Sequence, residues 1–249
     1  MVSAQIEPLK YRTFILTGPS STCRRFGVLQ HAIKSKPAQF IRDNVWHLLV
    51  HSNFQEDTLD TFIPFCTGVR SLVLLGPHTR MFSQLETARP RRLATRIEFF
   101  GPKVDESMIP NLGLPMFSSL THLDVFGHPL DTETGSSLAL LPALTHLASL
   151  ELSYDVAVAI LGMCQKLQVL INMYPSHNTI WPTLSATVHD WEPRFLAMAL
   201  TTEDYILDWE AGLRGGSDFW ARADVFVAMR RRGEIEPESR YWIEERDGI

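Results

Sequence analysis

Two histidines, His122 and His146, hold the same place in a repeated tetrapeptide, LTHL at 120–123 and again at 144–147. Equivalent positions on neighbouring β-strands stand about 5 Å apart, close enough to share a metal ion. Zinc, however, needs a third and usually a fourth ligand at ~2 Å. Asp124 falls on the same strand face as His122, but no cysteine or second carboxylate is placed to complete the set. No metal site is expected, and the histidine of LTHL reads as a repeat consensus that caps or decorates a strand.

Other chemistries fare no better. The stretch TGPSST at 17–22 follows a strand-like run, yet it lacks the second glycine and the lysine of a phosphate loop, so a turn into a helix is expected. GxSxG, HExxH and GxGxxG are absent, and Ser, His and Asp are too scattered to nominate a triad. Cys23, Cys66 and Cys164 are odd in number, widely separated and without CxxC spacing, which suggests neither a disulfide framework nor a zinc knuckle. No catalytic, cofactor-binding or metal-binding residue is nominated, and an enzyme is not expected. The alternative is an α/β hydrolase-like or other enzyme with an unrecognised site, which requires a pocket of convergent His, Asp or Ser around a perturbed titrating group.

Charge narrows the partners. A net charge of -5 gives no electrostatic reason to expect nucleic acid, and the short basic runs at 89–92 and 230–232 read as solvated surface or helix ends. The first 21 residues lack a signal-peptide pattern, and no stretch approaches the ~20 apolar residues of a membrane span. The expectation is an intracellular chain, cytoplasmic or nuclear, with no membrane partner.

The elements that position these side chains emerge from self-similarity. Runs rich in β-branched and large apolar residues recur as YRTFILTG, VWHLLVHS, VRSLVLLG, ATRIEFFG, LTHLDVFG, LTHLASLELS and LQVLINMYP. Taking the fourth residue of each as its anchor gives Phe14, Leu48, Leu72, Ile97, Leu123, Leu147 and Leu170. After a longer first step these anchors follow one another at 24, 25, 26, 24 and 23 residues. That is the spacing of a leucine-rich repeat, roughly 20 to 29 residues with one strand and one helix or turn per unit. In 144–153 either Leu147 with Ser149 or Leu150 with Leu152 points inward; the LTHL identity favours Leu147, and the apolar alternation favours Leu150.

Between the strands, Leu59, Phe62, Ile63 and Cys66 share one helical face before Gly68, as do Val156, Ile160, Met163 and Cys164 after a cap at Asp155. Parallel strands need such crossovers. The fold class expected is α/β: a leucine-rich-repeat-like solenoid over 1–175 with a parallel sheet on one face and helices on the other. Residues 176–249 form a C-terminal loop and helical cap. In that segment RFLAMAL can supply a last strand, Thr202 caps one helix, and Ser217 caps a second that carries Phe219, Ala223, Phe226 and Val227 in one stripe.

If the anchors point inward, the neighbouring positions face outward. This selects Arg96, Glu98, Phe100, His122, Asp124, Phe126 and His146 as candidate protein-binding residues. Their apolar strip either lies under the rest of the chain or forms a partner-binding groove, the usual role of a solenoid's open sheet.

The order of several phrases resembles a known family. KPAQFIRDNVWHLLV, FSSLTHLDV, LALLPALTHLASLELS, CQKLQVLI and FWARADVFVAMRRRGEIE, after YRTFIL, are similar to basidiomycete fungal F-box or F-box-like proteins with degenerate leucine-rich repeats. The resemblance implies the substrate-recognition part of a ubiquitin ligase, whose repeats hold a target protein while an N-terminal F-box docks on a Skp1-type adaptor. Only ten residues precede Tyr11, too few for the helices of an F-box, so the expected partner is an unknown protein on the open sheet face and not that adaptor.

Overall fold

The computed structural model describes residues 7–76, 87–96, 112, 115–175 and 192–249. Among them are β1 Thr13–Leu16, β2 His47–Val50, β3 Ser71–Leu74, β4 Arg92–Arg96, β5 His122–Phe126, β6 His146–Leu150, β7 Val169–Tyr174 and β8 Phe195–Ala199. β1 to β5 pair in parallel in chain order, and so do β6, β7 and β8. The chain divides into two compact units, 1–127 with 140–144, and 128–139 with 145–249.

In the first unit the ladder aligns Phe14, Leu48, Leu72, Leu93 and Leu123 in one row. Leu93 therefore takes the place expected of Ile97, which lies outside the described residues together with Glu98 and Phe100. The large β-formers of RIEFF draw the eye downstream, but main-chain bonding starts earlier. Arg91 N and Arg92 N both donate to Arg70 O, at 2.8 and 3.0 Å. The true step from Leu72 is thus shorter than its neighbours and the next one longer.

That forked start recurs. Arg12 O accepts from Trp46 N and His47 N, Trp46 O from Arg70 N and Ser71 N, and Arg91 O from Thr121 N and His122 N, all at 2.7–3.0 Å. In the second unit Thr145 O accepts from Gln168 N and Val169 N at 2.7 and 3.2 Å. β2, β3, β4, β5 and β7 each begin by placing two successive amides on one carbonyl of the preceding strand. This extends the slanted parallel ladder and fixes the register before the apolar residues arrive.

Strands β1, β2 and β3 are apolar on both pleat faces. Phe14 and Leu16 are buried, as is Ile15 between them; Leu48, Leu49 and Val50, then Leu72, Val73 and Leu74, behave alike. Such continuous runs belong to parallel sheets covered on both sides. Helices α1 (Arg24–Ser35) and α2 (Ala38–Asn44) fill the long first interval, and α1 packs on β1. Phe26 of α1 meets Phe54 and Phe62 with ring centroids 5.2 and 5.5 Å away. Leu59, Phe62, Ile63 and Cys66 are buried as their spacing predicts, although the helix is broken into α3 (Glu56–Leu59) and a 3-10 turn at Ile63–Phe65. Gly68 does more than end that turn: a Cβ there would sit 1.8 Å from Arg42 O of α2.

In the second unit Leu147, Leu170 and Phe195 are in register, which settles the 144–153 ambiguity for Leu147 and confirms RFLAMAL as β8. Helices α4 (Thr132–Leu138) and α5 (Tyr154–Met163) pack on each other, and α6 (Thr202–Leu213) and α7 (Phe219–Arg231) follow β8. Val156, Ile160 and Cys164 are buried, whereas Met163 is exposed. The helix caps lie one or two residues from their expected places. Thr201 rather than Thr202 caps α6, accepting from Asp204 N at 3.2 Å; Asp218 rather than Ser217 caps α7, accepting from Ala221 N at 2.9 Å; and Ser153 precedes α5. Gly212 lets Asp218 approach α6, since a Cβ there would meet Asp218 Oδ2 at 2.5 Å. Asp208 of α6 then accepts from Arg222 at 2.6 Å and from Phe219 N, joining the two helices.

Helix α7 lies against β7 and β8, with Phe219, Trp220, Ala223, Phe226 and Val227 buried. Arg230 holds its far end, donating to Glu192 O and Phe195 O at 3.1 and 2.9 Å. The outer edge of β8 is covered by the tail, where Ala197 N donates to Tyr241 O at 2.6 Å and Ala197 bridges to Trp242. Covering an edge in this way removes a template for aggregation.

Candidate functional site

The repeated LTHL has a common local geometry. Thr121 Oγ1 lies 2.9 Å from His122 Nδ1, and Thr145 Oγ1 lies 2.7 Å from His146 Nδ1. The hydroxyl before each histidine steadies its ring at the strand start, so threonine and histidine recur as a pair.

The two rings differ in which nitrogen carries the proton. Thr121 has one hydroxyl proton, and its Oγ1 is also 2.9 Å from Arg91 O, a group that can only accept. The proton goes to that carbonyl, and His122 Nδ1–H donates to Thr121 Oγ1, leaving Nε2 the acceptor of the neutral ring. His146 is reversed. Its Nε2 lies 3.0 Å from Asp224 Oδ1 of α7, so Nε2 is the donor, and in the neutral ring Nδ1 accepts from Thr145. Trp220 of α7 presents its ring to His146 edge-on, with centroids 5.5 Å apart.

The site residues expected from sequence separate accordingly. His122 and Arg96 are half-buried, as is Phe126, which stands opposite Arg96 in the β4–β5 register. Asp124, between His122 and Phe126 on the same face, is 5% exposed and so is not a surface residue. His146 is not one either: its side chain is 8% exposed and it ties β6 to α7, while Asp224 is 52% exposed. The outward row continues through buried Leu49, Val73 and Ala94 in the first unit and buried Ala148, Ile171 and Leu196 in the second. In the second unit this row lies under α7, which packs on β7 and β8; of the expected apolar strip, Phe126 is half-buried and Phe100 lies outside the described residues. The structure brings Arg96 beside Phe126 and Arg92 beside His122, at opposite ends of one strand pair. Because the β4 register differs from expectation, Arg92 and Ala94 flank the anchor, where the sequence had suggested Arg96 and Glu98.

Sequence reasoning missed a cationic group at the strand starts of the first unit. Trp46 lies between two guanidiniums, with Arg12 Cζ 4.0 Å and Arg70 Cζ 3.8 Å from its ring. These three residues share the second place before the anchors of β1, β2 and β3, so the forked main-chain ladder stacks them. Trp46 Nε1 donates to Asp43 O at 2.7 Å, which fixes the indole. The neighbouring His47 is pushed down to about 4, first by burial and then by Arg12, Arg70 and Arg92. Its Nδ1 is buried without a hydrogen-bond partner. The repeated register, once known, is the signal that would have found this stack.

Among the described residues no three His, Cys, Asp or Glu are grouped so as to hold a metal ion, and no helix is long and apolar enough to cross a membrane. Compared with protein-family models, curated proteins and solved structures, the chain matches none of them.

Proposed function

We propose that the chain is a non-enzymatic protein-interaction module: a leucine-rich-repeat-like solenoid resembling the substrate-recognition part of fungal F-box/LRR proteins. The observation that carries the reading is the recurrence of one strand start, two amides on one carbonyl, in both units. A chain assembled from like units displays side chains in rows, and rows make extended surfaces for a partner. Since Asp124 and His146 are buried, the contact surface reduces to the half-buried corners of β4 and β5, Arg96 with Phe126 and Arg92 with His122. Aromatic residues, phenylalanine included, and arginine are enriched in protein–protein interfaces. The partner is an intracellular protein, and recruitment of targets to a ubiquitin ligase is the role the resemblance favours.

The test is affinity capture on the full chain, compared with a chain carrying Arg96→Glu and Phe126→Asp. Loss of specific partners from the variant, with its melting temperature retained, supports the surface. Identical partner sets remove it. Recovery of a Skp1-type adaptor adds the ligase link.

One observation favours the enzyme alternative. Thr145, His146 and Asp224 form a hydroxyl–imidazole–carboxylate chain, the kind of order that activates a nucleophile. Covalent labelling of Thr145 by an activated ester or fluorophosphonate, lost in His146→Gln, is the result that would establish it.

A further inference from the structure

The strand-start edge of the first unit is the strongest unexplained feature of the molecule. In a chain of net charge -5, Arg12, Arg70, Arg91 and Arg92 gather at the starts of β1, β3 and β4. Like charges so grouped repel unless something negative answers them. Arg12 and Arg70 have Trp46 as their partner and form no ion pair among the described residues. Of the acids near them in the chain, Glu7 is paired with Lys36 at 2.6 Å, and Asp43 accepts from Gln39 at 2.8 Å through its Oδ1. His47, between these strand starts, is desolvated and repelled by three arginines.

We propose that this edge binds a phosphate-type oxyanion, held by the guanidinium edges of Arg12 and Arg70 to either side of Trp46. Stacking fixes both guanidinium planes and leaves their N–H edges free to donate. A planar fork of this kind matches phosphate oxygens two at a time. A carboxylate has two oxygens and satisfies one fork, whereas a tetrahedral phosphate has enough to satisfy both, which is why phosphate is the ligand class chosen. The inference stands apart from the β4–β5 partner surface, because it concerns strand starts and a small anion. The source is either a free phosphate compound or a phosphorylated side chain, and the two share this chemistry.

The experiment titrates the full chain with inorganic phosphate, with pyrophosphate and with a short phosphoserine peptide, following Trp46 fluorescence and the His47 ring by NMR. Acetate at matched ionic strength is the control. The expected result is saturable binding of at least one phosphate probe, an upward shift of the His47 titration as negative charge arrives, and no such response to acetate. Arg12→Gln with Arg70→Gln is expected to weaken binding at least tenfold, while Arg231→Gln, an exposed arginine of α7, leaves it within twofold. Far-ultraviolet dichroism checks that the double variant is folded. Should it fail to fold, Arg70→Gln alone, whose side chain is exposed, is expected to weaken binding severalfold. Tighter binding of the peptide than of free phosphate identifies a phosphorylated protein as the source, and the reverse identifies a small compound. Equal responses to phosphate and acetate, or binding unchanged in the arginine variants, would overturn the proposal.

Discussion

His146 and Asp224, 78 residues apart in sequence, meet at 3.0 Å between Nε2 and Oδ1, and the contact joins β6 to α7. Its strength is limited because the carboxylate is half exposed; pairs of that kind contribute roughly 0–1 kcal/mol. The apolar side of the same helix is stronger. Asp224→Ala is therefore expected to cost under about 1 kcal/mol, whereas Phe226→Ala, which empties a fully buried site, costs about 3–5 kcal/mol. Urea denaturation of both variants measures the difference, and an equal loss would mean that the His146–Asp224 contact does more than geometry allows.

Gly68 makes a second, local prediction. Its α-hydrogen faces Arg42 O where a methyl would lie at 1.8 Å, so Gly68→Ala must part α2 from the turn before β3. The expected loss is about 1–3 kcal/mol, typical of overpacking, with a lower melting temperature and an unchanged chain length by mass. Gly68→Ser should behave alike, because the obstacle is the Cβ itself.

How much of this was legible beforehand depends on range. The buried face of Leu59, Phe62, Ile63 and Cys66 and the stripe on α7 follow from spacing within one element, which sequence records directly, and the choice of Leu147 over Leu150 follows from the repeated LTHL against the local apolar alternation. The β4 register does not. RLATR is a weaker strand-former than the RIEFF that follows it, and the decision belongs to Arg70 O, 21 residues upstream of Arg91 N. Burial of Asp124 and His146 was equally hidden, since an amphipathic helix declares its apolar side without declaring what it covers. The Arg12–Trp46–Arg70 stack depends on register across three strands, so it became visible only with the ladder in place.

Acid should destabilise the protein in two steps. The His47 ring is held down to about 4 by burial and three arginines, against an ordinary 6.5. Between those values the unfolded chain takes up a proton that the folded chain refuses, so stability falls as pH drops from about 6.5 to about 4. His47→Gln should flatten that part of a denaturation-midpoint profile.

A second loss belongs to the carboxylates. Hydrogen bonds from Arg240 hold Asp247 below its usual range, and burial opposes them. For Glu192 burial is the larger single effect and works to raise it, but the hydrogen bonds from Arg194 and the charge of Arg230 together outweigh it. Depressed carboxylates contribute stability above their ordinary values and lose it as pH falls below them, a window under that of His47. Arg240 and Asp247 are 3% and 5% exposed, bonded at 2.6 Å, and Asp247→Asn leaves the buried guanidinium only the more distant Glu244 carboxylate, 3.6 Å away. The expected cost is about 3 kcal/mol, read from the denaturation midpoint at neutral pH, with a smaller acid-dependent loss remaining.

The register on which the proposed surface and the proposed anion site both rest is open to direct measurement. In a methyl-labelled chain, nuclear Overhauser contacts are expected between Leu72 and Leu93 and between Leu93 and Leu123, the neighbours in the β3–β4–β5 ladder. Their presence, with Leu72 and Leu123 showing no direct contact, supports the repeated strand. A direct Leu72–Leu123 contact, or a Leu93 that meets neither, would contradict it.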